Sequence, residues 1–154
     1  MSVLAALPAD YAYVAAVGTL GVYSLHVFAT GRVSAARKAA NVKYPAMYAE
    51  NSVAERDIKA KIFNCAQRAH YNTIENLPVF LTALFHSGLY YPRFAAAAGL
   101  VWVAGRFAYI AGYASGDPSK RQRGVFQYLG LLPMFGISVW KAVTSMPVVQ
   151  ELLK

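Results

Sequence analysis

The sequence predicts an all-α integral membrane protein whose protomer is a four-helix bundle. Two observations lead to this prediction. First, 57% of the 154 residues are hydrophobic and only 14% are charged, whereas soluble domains average about 45–50% apolar and about 25% charged residues. Second, four apolar segments, at approximately residues 10–31, 62–91, 94–114 and 123–146, each reach the ~20 residues that a helix needs to cross a bilayer. Residues 1–154 are therefore predicted to form one membrane domain.

The four segments differ in polarity. Residues 11–29 and 125–139 contain no charged side chain, and residues 94–114 contain only Arg106. Small residues in this third segment, Gly105 and Gly112 among them, predict close packing against neighbouring helices. The second segment is the most polar, and Pro78 within it removes one backbone donor, which predicts a kink beside the polar residues.

Turn residues separate the segments. Tyr90, Tyr91 and Pro92 end the second segment, with the tyrosines at the depth of a membrane interface. The run Gly116-Asp117-Pro118-Ser119 predicts a tight turn before the fourth segment, with Ser119 as the N-cap.

Basic residues are concentrated in two connections between segments. Residues 32–61 and 116–123 together hold ten of the fifteen lysines and arginines. Because positive charge is enriched in cytosolic loops, both connections are predicted to be cytosolic and both termini to lie across the membrane. The charge is split over short loops that flank apolar segments, so the expected partner is the lipid bilayer and not nucleic acid.

The second segment carries the most informative residues. Arg68, Asn72 and Glu75 are spaced by four and three positions, which places them on one face of a helix. Charged residues facing lipid would each cost roughly 2.5–3.5 kcal/mol, so this stripe must line an enclosed or hydrated cavity. The functional interpretation is a ligand site, and the structural alternative is an Arg–Glu bridge that only fixes helix packing.

Two further clusters can join this stripe. Arg106, Tyr109 and Tyr113 share one face of the third helix by the same periodicity. The basic residues at the start of the fourth segment are Lys120, Arg121 and Arg123. Such residues usually set topology, but together with the two stripes they would form a cationic funnel for an anionic, water-soluble ligand.

Other chemistries have little support in the sequence. His26, His70 and His86 are too few for two bis-histidine haems, and the sequence lacks an H-x-x-x-H zinc pair, a phosphate-binding glycine loop and a G-x-S-x-G motif. We therefore expect no metal and no haem.

The run from Phe63 to Pro78, FNCAQRAHYNTIENLP, resembles the signature of the MAPEG family, the membrane-associated proteins of eicosanoid and glutathione metabolism. The similarity continues through GRFAYIAGY at 105–113 and DPSKRQRG at 117–124, and includes VKYPAMY at 42–48. Asn76 departs from the family's leukotriene C synthases, which carry a tyrosine next to the glutamate.

The resemblance implies a homotrimer that binds glutathione between neighbouring protomers near the cytosolic face. By residue matching, glutathione would be held by Arg68, Asn72 and Glu75, with further contacts from His70, Tyr109 and Tyr113. Arg37 or Lys38 would approach from the adjacent first helix.

The implied activity is a glutathione transferase, with peroxidase activity toward lipid hydroperoxides as well as conjugation of lipophilic electrophiles. The thiolate would be stabilised by an arginine early in the fourth segment, and Tyr109 would assist. Arg121 and Arg123 are both candidates, and Arg123 is favoured because it is expected to lie deeper in the fourth helix. The expected location is the endoplasmic reticulum, with the mitochondrial outer membrane as an alternative. Two alternatives remain: a non-catalytic, lipid-binding member of the family and a structural subunit of a larger membrane assembly.

Overall fold

The computed structural model describes residues 7–152 and contains four long helices. α1 is Tyr11–Ala39, with a π-helical turn at Val17–Gly21, and α3 is Ile58–Tyr90. α4 is Pro92–Tyr113 and α5 is Gln127–Thr144. Three short elements lie between or after them: α2 (Asn51–Ala54), a 3₁₀ helix (Pro118–Gly124) and α6 (Pro147–Leu152).

The helical class is confirmed for the part of the chain that the structure describes. By length and composition, α1 and α4 are apolar enough to cross a membrane. The helices differ from the expected segments mainly at the basic end of the bundle. There α1 extends to Ala39, α3 already begins at Ile58, and α5 begins only at Gln127, four residues later than expected.

The connections at the basic end are fixed by two aspartates. Asp57 accepts a hydrogen bond from the backbone N–H of Lys59 and so caps α3. Asp117 accepts from the backbone N–H of Ser119 at 3.0 Å and caps the 3₁₀ helix. The prediction that Ser119 is the N-cap was wrong because the preceding carboxylate takes that position. Gly116 adopts φ = 86° just before it, a left-handed conformation that suits glycine.

α4 lies at the centre of the bundle and contacts α1, α3, α5 and the 3₁₀ helix. Trp102 of α4 stacks on Phe80 of α3 with ring centroids 3.7 Å apart, and both side chains are buried. A Cβ atom on Gly105 would lie 2.6 Å from Cβ of Gln127. This glycine therefore permits the close approach of α4 and α5 that the small residues predict.

The end of the bundle opposite the basic loops is held by polar contacts. The Nε of Arg93, at the start of α4, lies 2.7 Å from Oδ2 of Asp10. The hydroxyl of Tyr11 donates to the carbonyl of Phe85 at 3.2 Å, which ties α1 to α3. α3 continues through Pro78 to this end.

Candidate functional site

Arg68 and Glu75 form an ion pair along one face of α3, near its basic end. Nη1 of Arg68 lies 2.8 Å from Oε1 of Glu75, and the two side chains are 46% and 50% exposed. The periodicity of the helix places them two turns apart, as the sequence predicts. Because both groups remain half-exposed in the single chain, a ligand can reach both charges.

Arg106 is the largest charged side chain in the interior, with only 2% of its surface exposed. Its guanidinium donates to three neutral oxygens: Thr73 Oγ1 at 2.9 Å, Asn72 Oδ1 at 3.1 Å and Gln127 Oε1 at 3.2 Å. It also lies 4.5 Å from the centroid of the Tyr109 ring. Within residues 7–152, no carboxylate forms an ion pair with Arg106. The positive charge is therefore held in the interior with neutral partners only.

The contact with Arg106 fixes the orientation of the Asn72 amide. A guanidinium carries donors and no acceptor, so the atom of Asn72 that faces it must be the carbonyl oxygen. The Nδ2 group then points away from Arg106, and it has no hydrogen-bond partner among the described residues. Asn72 thus offers the site two amide hydrogens, which suit a carboxylate ligand.

Tyr109 and Tyr113 extend this polar face along α4. Their rings pack edge to face with centroids 5.8 Å apart. Tyr109 is buried beneath Arg106, whereas Tyr113 is half-buried at the end of the helix. The Tyr109 hydroxyl lies within electrostatic range of Arg68 and Arg121, so the structure brings the two predicted stripes together.

The basic cluster after α4 lies on the 3₁₀ helix. Arg121 and Arg123 are exposed, and Nη1 of Arg121 donates to the carbonyl of Pro118 at 3.2 Å. The stem of Arg123 runs past α4, where its Cδ would lie 3.5 Å from a Cβ atom on Gly112. In the described chain the guanidinium of Arg123 makes no hydrogen bond. The expectation that Arg123 lies within the fourth helix is corrected, because that helix begins at Gln127.

Three of the expected glutathione contacts lie away from this face in the single chain. Arg37 donates to the carbonyls of Ala46 and Val42, and Lys38 is exposed at the end of α1. The His70 ring faces α1 instead, with its centroid 5.7 Å from that of His26. Among residues 7–152, no group of three or more His, Cys, Asp and Glu side chains is arranged to hold a metal ion.

The model of the MAPEG family matches residues 13–142. The chain belongs to the MAPEG family. It is also 35% identical over 79 residues to "Microsomal glutathione S-transferase 2" of Mus musculus, an alignment that covers 51% of this chain and 53% of the mouse protein. The chain thus spans about half the length of the curated relative that it matches. MAPEG membership identifies, at the level of the family, a membrane-associated protein.

The structure of this MAPEG chain adds three site residues that the sequence did not indicate. Thr73 and Gln127 complete the cradle of Arg106, and Tyr48 lies in electrostatic range of Arg68, Glu75 and Tyr113. In the sequence, Thr73 is only a threonine next to Asn72 and Gln127 only a glutamine at the start of an apolar helix, so neither strongly predicts a contact with Arg106. Tyr48 has no such signal because it lies in a loop.

Proposed function

We propose that this protein is a membrane-bound glutathione transferase with glutathione peroxidase activity. The observation that supports this most strongly is the combination of charges on one face: the paired Arg68 and Glu75, and the outward-facing amide of Asn72 beside the buried Arg106. Glutathione carries two carboxylates and one ammonium group. It therefore needs cations, amide donors and one anion close together, which is the set present here.

The proposal also agrees with the name of the mouse relative, which describes a glutathione S-transferase. Such an activity requires glutathione in its thiolate form. A cysteine-like thiol with a pKa near ~8.5 is mostly protonated at neutral pH, so the protein must favour the charged form.

The electrostatic requirement is modest. Lowering the pKa of the thiol by two units takes about 2.7 kcal/mol. One guanidinium ~4 Å away, at an effective dielectric constant of ~20, supplies about 4 kcal/mol. We assign this role to Arg123, with Arg121 as the alternative. Both residues are exposed; the stem of Arg123 runs past Gly112 of α4, and Arg121 lies within electrostatic range of Tyr109. The Tyr109 hydroxyl assists as a hydrogen-bond donor.

The thiolate then acts as a nucleophile. With an electrophile, the sulfur forms a bond to carbon. In a substitution the leaving group departs with its bonding electrons, and in an addition the carbanion that results takes up a proton. With a lipid hydroperoxide, the sulfur attacks the terminal peroxide oxygen, the O–O bond breaks, and the departing alkoxide takes up a proton. The products are an alcohol and a glutathione sulfenic acid, which a second glutathione converts to the disulfide and water.

A lipophilic co-substrate can approach from the bilayer along α3. Between α3 and α5 lies an apolar cavity of about 410 Å³ whose lining includes Pro78, Val79 and Phe135. Pro78 is less than one helical turn beyond Glu75, so the cavity begins close to the polar face. Conjugation at this junction would join a water-soluble thiol to a membrane-dissolved partner.

The assembly and location belong to the same proposal. A homotrimer would place Arg37 or Lys38 of one protomer at the site of its neighbour and enclose glutathione between protomers. The basic loops would face the cytosol, where glutathione is available, and the membrane would be that of the endoplasmic reticulum or the mitochondrial outer membrane.

Ultraviolet absorbance of the thiolate tests the proposal. Glutathione added to the detergent-purified full chain at neutral pH is expected to give a saturable thiolate absorbance, followed by turnover with a lipophilic electrophile. Saturable binding without thiolate formation would exclude the transferase mechanism.

A non-catalytic, lipid-binding protein is the second candidate. A second apolar cavity of about 470 Å³ between α1 and α4, whose lining includes Leu20 and Leu100, favours it because this cavity could hold an acyl chain far from the polar face. That candidate predicts lipid binding with neither thiolate absorbance nor turnover.

A further inference from the structure

The loop between α1 and α2 is held against the candidate site at two points. The side chain of Asn64 on α3 makes both backbone hydrogen bonds of Ala49: Oδ1 accepts from its N–H at 2.8 Å and Nδ2 donates to its carbonyl at 2.9 Å. An amide matched to both polar groups of one residue fixes that residue in position and in orientation.

Arg37 forms the second attachment. Its Nη1 donates to the Ala46 carbonyl at 2.7 Å, and its guanidinium lies 4.4 Å from the centroid of the Tyr44 ring and 4.6 Å from that of Phe63. Phe63 is fully buried on α3. The arginine therefore clamps the loop to the helix that carries Arg68 and Glu75.

Tyr48 lies between these two attachments and next to the Asn64-bound Ala49. On the other side of Tyr48, the hydroxyl of Tyr71 donates a hydrogen bond to Sδ of Met47 at 3.9 Å. Asn64 and Tyr71 lie on the face of α3 that also carries Arg68 and Glu75, so the loop crosses that face at Tyr48. The Tyr48 side chain is 40% exposed and lies within electrostatic range of Arg68, Glu75 and Tyr113.

The Tyr48 hydroxyl is a neutral donor at neutral pH. Partial burial raises the pKa of Tyr48, and the charge of Arg68 opposes that rise without reversing it. The nearby groups indicate which part of a peptide ligand would come here. Glu75 is suited to an ammonium group and Arg68 to a carboxylate, and glutathione carries both on the α-carbon of its γ-glutamyl residue.

We propose that Tyr48 is a further ligand-binding residue of the site, whose hydroxyl donates a hydrogen bond to the α-carboxylate of the γ-glutamyl end of glutathione beside Arg68. This inference rests on the proposed function. Asn64 and Arg37 act as positioning residues, because they hold the loop that carries Tyr48 and do not touch the ligand within this protomer.

The test compares Tyr48→Phe with Tyr44→Phe in the detergent-purified full chain, with glutathione affinity as the readout. Each variant loses only a hydroxyl from the same loop, and Tyr44→Phe keeps the aromatic ring that packs on Arg37. Because hydrogen bonds to charged groups are the stronger class, Tyr48→Phe is expected to bind glutathione roughly 10- to 100-fold more weakly. Tyr44→Phe should stay within about two-fold of the wild type, which is within the scatter of a surface change.

Two further measurements make the inference specific. The glycine monoethyl ester of glutathione keeps the γ-glutamyl end, so Tyr48→Phe should weaken its binding by the same factor; a loss seen only with unesterified glutathione would overturn the assignment to that end. Asn64→Ala should reproduce the loss of affinity by releasing Ala49.

The possible failures are distinguishable. If the wild type does not bind glutathione, the proposed function fails and this inference fails with it. If the wild type binds and Tyr48→Phe binds equally well, only the role of Tyr48 is overturned.

Discussion

Arg106 on α4 donates a hydrogen bond to the side-chain oxygen of Asn72 on α3, at 3.1 Å. This contact joins a fully buried cation to a residue on the exposed polar face. It determines which end of the amide a ligand meets, because the guanidinium can only face an acceptor. Arg106 therefore acts on the site through Asn72 and not by direct contact.

The first prediction follows from that orientation. Asn72→Asp replaces the two outward amide hydrogens with a carboxylate oxygen, which repels a ligand carboxylate. Glutathione affinity should fall by at least about ten-fold, since a hydrogen-bond donor to the ligand carboxylate is lost and a like charge is added. The fold should persist because Arg106 gains an anionic partner.

Thr73→Val is the matched control for Asn72→Asp. It removes another oxygen that Arg106 uses, at 2.9 Å, but on the buried side of α3. This variant should lower the midpoint of thermal unfolding and leave glutathione affinity within a few-fold of the wild type. Normal glutathione binding by Asn72→Asp would contradict the orientation inferred for the amide.

The second prediction separates a ligand site from a structural ion pair. Half-exposed pairs such as Arg68–Glu75 contribute about 0–1 kcal/mol to stability. Arg68→Ala and Glu75→Gln should therefore unfold at nearly the wild-type temperature. Once a ligand buries the charges, loss of one partner costs about 2–5 kcal/mol, so glutathione binding should weaken strongly.

Arg93→Ala provides the comparison for the second prediction. Arg93 pairs with Asp10 at 2.7 Å at the opposite end of the bundle, and its loss should leave glutathione binding unchanged. If Arg68→Ala and Glu75→Gln also bind glutathione normally, the pair only fixes the packing of α3.

Local periodicity explains what the sequence could predict about the site. Arg68 and Glu75 lie on one helix, so their spacing alone places them together. The same holds for Arg106 and Tyr109 on α4. Such relationships depend on the geometry of a single helix and are independent of how the helices pack.

Contacts between distant segments could not be predicted in this way. The two hydrogen bonds between the Asn64 side chain and the Ala49 backbone depend on how the loop returns to α3. The orientation of the His70 ring depends on where α1 packs. The position of Arg123 depended on the first residue of α5, and helix boundaries are the least certain part of a pattern. In each case the deciding interaction is tertiary.

The third prediction concerns the glycine contact between α4 and α5. A Cβ atom on Gly105 would lie 2.6 Å from Cβ of Gln127 and 2.8 Å from its backbone nitrogen. Gly105→Ala must push Gln127 away and should destabilise the protein by about 1–3 kcal/mol, as overpacking does. Thermal unfolding in detergent measures this change.

Gly31→Ala is the control for Gly105→Ala. Gly31 also lies inside a helix, but a Cβ atom there would meet nothing within 4 Å. Alanine favours helix over glycine by about 0.5–1 kcal/mol, so Gly31→Ala should unfold at the wild-type temperature or slightly above it. Equal destabilisation by both substitutions would show that the α4–α5 approach is not tight.

The fourth prediction tests the orientation in the membrane. In a Cys65→Ala background, which removes the buried thiol, single cysteines are introduced by Lys43→Cys in the basic loop and Met146→Cys at the other end of the bundle. Because basic loops are retained in the cytosol, a membrane-impermeant maleimide should label Lys43→Cys in intact microsomes. It should label Met146→Cys only after permeabilisation, and the reverse pattern would invert the proposed topology.

The last prediction decides between the two arginines of the 3₁₀ helix. Arg121 already donates to the Pro118 carbonyl, whereas Arg123 has its guanidinium free of hydrogen bonds in the described chain and its stem beside Gly112, next to Tyr113. Arg123→Ala should therefore reduce both thiolate absorbance and turnover while glutathione affinity stays within a few-fold. This pattern is expected when an interaction made mainly in the reactive state is removed.

Arg121→Ala is the matched variant, with the same charge change two residues earlier on the same element. It should retain most of the thiolate absorbance, because its guanidinium is already engaged by the Pro118 carbonyl at 3.2 Å. An inactive Arg121→Ala together with an unaffected Arg123→Ala would reverse the assignment. Full activity of both variants would show that a group other than these two arginines stabilises the thiolate. Tyr109→Phe would then be the variant to measure, because the Tyr109 hydroxyl lies within electrostatic range of Arg68 as well.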